Sequence, residues 1–404
     1  MTKKTPLSRE RNTGSPPTSS PLAAHVERVA GNRREFFARS TMALGSTVAL
    51  GGAAAVATGG SILANVGAHA GVHLGGSDRI RIGLIGCGAR GKAAVIEAIT
   101  AGRNGLSDCN DFSGVHLVAM ADTSSSQLQT AYRTVKGRHR DSVDVGSRRF
   151  VGPDGWRGVL ASDVDLVILA TPPASRAGHF EEAVRAGKHV FMECPIAINS
   201  HDVQRIADAG RLAQTSGLAV AVGHQRRHEL RTRECVAKLR DGVIGDLIYA
   251  RTYSSDSQED RHVQSLDIVN WVLGHGPVAA QGFGNASGDV SAYQLIEFTY
   301  PNNFPMISQC RQTRGGRNLG EFFHGTHGTC DMSRAAIHNS DGKLIWQSEA
   351  KEIPGKGWQR QFNELIASLR AGEAPFELEH AIASTAAAIL GRTAVQSGEL
   401  IRQA

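Results

Sequence analysis

Three glycines mark the first chemistry in this chain. Gly86-Cys87-Gly88-Ala89-Arg90-Gly91 spaces them as G-x-G-x-x-G. In such a turn the first glycine permits a tight bend and the second lets backbone approach a pyrophosphate. The third lets a helix pack closely on a strand. The spacing alone is weak evidence, and its setting strengthens it. The run 79–85 before the turn is apolar and β-branched, and 92–99 after it carries a helical pattern. A helix beginning there turns free N–H groups and partial positive charge towards phosphates.

The strands that must position this turn end in further candidates. A second strand, 115–121, ends at Asp122. A carboxylate there accepts hydrogen bonds from ribose hydroxyls and repels a 2′-phosphate, which favours NAD over NADP. Asp122 lies 31 residues after Gly91, further than usual, because residues 102–114 read as a loop insertion. Strand 164–170 ends in Thr171-Pro172-Pro173, a helix spans about 175–186, and strand 188–192 ends in Glu193-Cys194-Pro195. Open parallel sheets bind ligands at these carboxyl ends. Arg90, Thr171, Pro172 and Glu193 therefore join Gly86, Gly88, Gly91 and Asp122 as candidate cofactor contacts. The expectation is a parallel-sheet Rossmann domain over 79–200 that holds NAD.

The order GCGxRG, ATPP, H-x-x-x-A-x-x-A-G-K-H-V and E-x-P resembles the Gfo/Idh/MocA family of sugar and cyclitol oxidoreductases. Later segments fit as well: Val222-Gly223-His224-Gln225-Arg226-Arg227, Ile244-Gly245-Asp246, and 262–271. The resemblance covers about 79–401 and is strongest to the exported, signal-bearing members. It implies a second α/β domain, 201–404, with an open, mostly antiparallel sheet used for homo-oligomerisation. The sequence agrees independently. Segments 246–255, 277–284, 292–300 and 305–311 read as strands, and 264–273, 358–370 and 379–397 as helices. The last helix is expected to pack back on the Rossmann half.

The resemblance also shows where this chain departs. The lysine of the family's E-K-P stands beside the nicotinamide and orients the substrate hydroxyl; its position here is Cys194. The pattern D-x-x-x-H-x-x-D, whose histidine is the family's base, falls on Asp260, Gln264 and Asp267. Neutral glutamine cannot take a proton as hydride leaves an alcohol, a step commonly worth about 10²–10⁴-fold. A thiol can titrate but lacks the lysine's charge and reach. His262 is two residues from Gln264, about 200° around a helix, and so faces elsewhere. Asp260 acting through water, and His224 at a strand end, complete the catalytic candidates with Cys194 and Gln264. Three functions stay open: an NAD(P)-dependent oxidoreductase of a small carbohydrate-like substrate, an NAD-using enzyme that cleaves glycosides, and a non-catalytic dinucleotide- or sugar-binding protein.

The first seventy residues read as an address. Arg33-Arg34 precedes the weakly apolar run 41–57, and Ala68-His69-Ala70 offers a peptidase site. This is the pattern of a twin-arginine signal, which hands a folded protein to the export machinery and places it in the periplasm or outside. Residues 1–70 carry eight Lys or Arg against three Asp or Glu, so the remainder is near neutral and offers no footprint for nucleic acid. Six cysteines, at 87, 109, 194, 235, 310 and 330, include no C-x-x-C pair, and no metal site is expected. Cys87 and Cys194 sit inside motifs and read as free thiols.

Overall fold

The structure, a computed structural model, describes residues 79–103, 114–254, 259–284, 293–311, 319–351 and 356–403. The leader, Cys109 and most of the loop insertion lie outside them.

The first sheet has six parallel strands: β1 (Ile80–Ile85), β2 (Val115–Asp122), β3 (Arg149–Val151), β4 (Leu166–Leu169), β5 (His189–Met192) and β6 (Val220–Val222). Their order is β3-β2-β1-β4-β5-β6. Helices α1 (Ala89–Arg103), α2 (Ser125–Arg138), α3 (Gly155–Leu160), α4 (Pro173–Arg185) and α5 (Ser200–Thr215) connect them. β4 is buried at every residue and β1 at all but one, as expected where helices cover both faces. The order reverses between β1 and β4, so the loops after these strands diverge and leave a crevice at the strands' carboxyl ends. Asp122 ends β2 and Cys194 follows β5, three strand spacings or about 14 Å apart across the sheet.

The second sheet has nine strands in the order β14-β13-β12-β11-β7-β10-β9-β8-β15. These are β7 (Leu247–Ser254), β8 (Ala279–Gly284), β9 (Tyr293–Tyr300), β10 (Phe304–Arg311), β11 (Leu319–Gly325), β12 (Gly328–Asp331), β13 (Ala336–Asn339), β14 (Leu344–Gln347) and β15 (Ile401–Arg402). Neighbours are antiparallel except β7 and β10, which run parallel. Helices α6 (Leu230–Arg240) and α7 (Glu259–Leu273) precede β7 and β8 respectively. α7 starts at Glu259, ahead of the expected 264, and β11 to β14 were not foreseen as strands.

Two helices tie the sheets together. α8 (Lys356–Arg370) buries Phe362, Leu365, Ile366 and Leu369 in the same core as Leu84 and Ile99, and the Phe362 ring lies 4.5 Å from Phe191. Each such side chain contributes roughly 1.5–3 kcal/mol when fully buried. α9 (Leu378–Ser397) puts Leu378 and Ala381 against the parallel sheet, and Ala387, Leu390 and Ala394 against the second sheet. Between the helices, chain returns to the exposed edge of β6. Val220 donates to the Pro375 carbonyl at 2.8 Å and accepts from the Glu377 N–H at 2.8 Å. Phe376 thereby pairs with Val220 as a parallel bridge, covering an edge that would otherwise be open.

Candidate active site

The glycine turn behaves as its spacing requires. Gly86 has φ +96°, and a side chain there would meet the Ala170 backbone at 2.6 Å. A Cβ on Gly91 would stand 2.0 Å from the Gly86 carbonyl oxygen, so this glycine sets the approach of α1 to β1. A Cβ on Gly88 would meet nothing within 4 Å. It would project into a cleft of about 860 Å³ whose wall includes Gly86, Gly88, Asp122, Thr171 and Pro172. That open face, with the α1 N-terminus behind it, fits the close approach of a pyrophosphate.

Asp122 faces the cleft and accepts from the backbone N–H of Cys87 at 2.6 Å and of Ser124 at 2.7 Å. The carboxylate thus clamps the turn while keeping accepting capacity for a ligand. Cys87 is buried behind it. Burial and the nearby Asp122 charge push its thiol up to about 12, so it packs as an inert side chain.

Arg90 donates to Glu193 at 2.6 Å and to Glu97 at 2.6 Å, and its guanidinium lies 5.4 Å from the Trp358 ring. Burial raises Glu193 above the ordinary carboxylate value in spite of Arg90. Both residues line the cleft, but paired with each other. Arg176 was not anticipated. It is buried, donates to the Glu193 carbonyl at 2.7 Å, and also to the carbonyls of Pro195 and Thr171. It therefore fixes the two strand-end loops against each other. Trp156, His179, Gln225 and Trp358 also line the cleft, and sequence reasoning missed them in that role. Trp156 and His179 lie in amphipathic helices, where an aromatic reads as core. Gln225 stood in plain view within the His224-to-Arg227 motif.

The opposite end brings together three of the four catalytic candidates. Gln264, on α7, donates through Nε2 to Cys194 Sγ at 2.9 Å, to the Gly223 carbonyl at 2.8 Å and to Gln225 Oε1 at 2.9 Å. Those two oxygens fix the amide's orientation. They leave Gln264 Oε1 buried without a hydrogen-bond partner among the described residues. Cys194 Sγ is oriented to donate to the Gly223 carbonyl at 3.5 Å. His224, which follows Gly223 in the chain, is wholly buried, with Nδ1 3.2 Å from Asp267 Oδ1. That contact is an ion pair off the N–H axis, since neither ring nitrogen makes an aligned hydrogen bond. Asp267 also accepts from Arg227 at 2.7 and 2.9 Å and from Ser384 at 2.8 Å. Burial opposes charge on His224, but Asp267 and then Cys194 outweigh it and push the ring up to about 10. Burial likewise opposes charge on Asp267, yet His224 and Arg227 hold it well below the usual carboxylate range. The side chain of Asp260, in the first turn of α7, lies outside the described residues. His262 faces away, as its helical offset requires. Its Nε2 is 2.7 Å from Ser308 Oγ on β10, and burial lowers it to about 4.

Known proteins resemble this chain in part of its sequence and in its fold. Residues 80–224 match the model of an oxidoreductase family with an NAD-binding Rossmann fold. A glycosyl hydrolase family 109 protein of Shewanella sp. (strain ANA-3) is 28% identical over 224 residues, covering 55% of this chain and 45% of that protein. The chain thus spans about half the length of the curated relatives it matches. Scyllo-inositol dehydrogenase from Lactobacillus casei superposes with a TM-score of 0.62 at 19% identity, over 81% of this chain and 99% of that one. Levoglucosan dehydrogenase, solved with NADH and levoglucosan, gives 0.62 at 16% identity over 80% and 99%. These structures share the two-sheet fold. Over residues 80–224, this chain is similar to the Gfo/Idh/MocA family of oxidoreductases with an NAD-binding Rossmann fold.

Proposed function

We propose that this protein is an NAD(P)-dependent oxidoreductase of a sugar- or polyol-like substrate, with NAD the preferred cofactor. One observation carries the reading. A single cleft has a pyrophosphate-accepting glycine turn and Asp122 at one end and a polar cluster of Cys194 and Gln264 at the other. When bound, the dinucleotide supplies hydride acceptance or donation. The chain's own residues hold the turn, orient the ligand and handle its proton. Gln264 Oε1, a buried acceptor with no donor among the described residues, suits a ligand hydroxyl.

A second reading, NAD-dependent cleavage of a glycoside, is favoured by the likeness to glycosyl hydrolase family 109 proteins. One experiment separates the two. The purified protein is incubated with NAD and a panel of polyols and aryl glycosides, following both nicotinamide absorbance and aglycone release. Steady reduction of NAD supports the first reading, and release of aglycone without net reduction the second. Neither signal, with NAD bound, rejects both in favour of a binding protein. We further propose that the twin-arginine leader exports the chain folded. A second copy is proposed to pack on the open face of the second sheet, where Ile307 is exposed.

A further inference from the structure

A buried ion pair is weak evidence for stability, because apolar groups of similar volume often hold a fold as well or better. What the two ends of such a pair grip is therefore informative. Glu321, on β11, is 1% exposed, and its Oε1 accepts from two donors. One is Nη1 of Arg226, in the short turn Gln225–His228 after β6. The other is Oγ of Ser265 on α7, at 2.8 Å. Oε2 is buried with no hydrogen-bond partner among the described residues, a costly arrangement for a group that served stability alone.

Arg226 follows Gln225 in the chain, and Ser265 follows Gln264. Those two glutamines are themselves joined, Gln264 Nε2 donating to Gln225 Oε1 at 2.9 Å, and both line the cleft. One oxygen of the second sheet thus grips, from behind, the residue next to each member of a pair in the cleft wall. Successive residues of a helix point about 100° apart, so the seat of Ser265 on the sheet sets the direction in which Gln264 leaves α7. Other bonds hold the helix: His262 Nε2 lies 2.7 Å from Ser308 Oγ, and Asp267 accepts from Arg227 at 2.7 Å. Removing Glu321 is therefore expected to misalign the pair without detaching α7.

We propose that Glu321 is a positioning residue, which aligns Gln225 and Gln264 as one unit and so presents Gln264 Oε1 to a ligand hydroxyl at a fixed place. Its charge is matched by Arg226 behind the wall, and the pair it aligns is neutral. This part of the wall recognises a hydroxyl by position, not an ionic group by charge. The recognition rests on the function proposed above; the alignment does not.

The test reads the two amides directly and needs neither cofactor nor substrate. Glutamine side chains of the full chain are labelled with ¹⁵N, and the Gln225 and Gln264 signals are assigned from their absence in Gln225→Glu and Gln264→Glu. In the wild type the Gln264 Nε2 protons should exchange slowly with water, because their acceptors are fixed. Glu321→Ala should shift both signals and speed that exchange about 10-fold, the equivalent of one lost hydrogen bond. Glu321→Gln, which keeps an acceptor for Ser265 and Arg226, should restore most of the protection. Tyr300→Phe is the control: it removes a buried hydrogen bond to Asn270 on the same helix, at 2.8 Å, and should leave both signals in place. If Glu321→Ala does not fold, Ser265→Ala, which removes one of the two bonds to Oε1, should move the signals in the same direction. Unchanged signals in these variants, or an equal change in Tyr300→Phe, would overturn the alignment. Recognition has its own reading. With a polyol that the panel above finds to be turned over, Glu321→Ala should raise KM about 10-fold while NAD affinity stays that of the wild type. An unchanged KM would overturn the recognition, whereas a panel without turnover rejects the proposed function and leaves the alignment to the amide signals.

Discussion

Arg90 Nε donates to Glu193 Oε1 at 2.6 Å, tying the glycine turn to the loop after β5 across 103 residues. The carboxylate is buried, and its charge is favoured by Arg90 first and by Arg176 second. Arg90→Ala should therefore leave that buried charge to Arg176 alone and cost up to about 3 kcal/mol of stability. Adding Glu193→Gln should recover part of that loss. Denaturant midpoints of the three proteins check both statements, and additive losses would refute the pairing.

Gly88→Val should leave the fold intact, because a Cβ there meets no atom within 4 Å beyond its chain neighbours, yet abolish NAD binding by filling the pyrophosphate's approach. Calorimetric titration with NAD reads the loss, and circular dichroism the retained fold. Asp122→Ala should shift preference towards NADP. It should also lower stability, since the Cys87 and Ser124 N–H groups lose their acceptor.

How much of this was legible in the sequence follows from range. The glycine turn, Asp122 and the first strands were legible because strand, turn and helix adjoin along the chain. Gln264 beside Cys194 was legible only through the family resemblance, since 70 residues separate them. The His224–Asp267 pair was not, because no local pattern says which of two buried side chains will face the other. β11 to β14 escaped for another reason. β12 to β14 are only four residues each, and β11 and β12 carry glycine at Gly320, Gly325 and Gly328, which weakens a strand pattern.

Stability should depend on pH through His228, whose Nδ1 lies 2.7 Å from Glu364 and whose Nε2 lies 3.3 Å from Glu377. Burial opposes its charge, but the bonds to Glu364 and Glu377 outweigh this and raise the ring above the ordinary histidine value. A raised histidine contributes fully below its unfolded value, near 6.5, and the contribution disappears as pH climbs through the raised one. Glu364 shows the opposite sign. Burial works against its charge, yet His228 and Arg233 hold it down to about 2, so its contribution is present above about 4.5 and lost as pH falls towards 2. Melting temperature against pH should fall on both sides, and His228→Gln should flatten the alkaline limb. A variant falling as steeply as the wild type above pH 7 would count against the assignment.

Export is tested by Arg33→Lys with Arg34→Lys. The precursor should remain in the cytoplasm, detected by fractionation and immunoblot. Mature-size protein outside the cytoplasm in that variant would exclude the twin-arginine route.

The bridge from Phe376 to Val220 has a consequence in time. During synthesis β6 leaves the ribosome with its edge open, and the residue whose carboxylate takes the Val222 N–H is Glu377, 155 residues later. At elongation rates of about 5–20 residues per second that is roughly ten to thirty seconds, during which the nascent chain presents an unpaired strand to its neighbours. A truncation that keeps every glycine of the dinucleotide turn but stops short of Pro375 would still lack this seal. Such a fragment should pellet, and a chaperone that holds extended chain should be found on it.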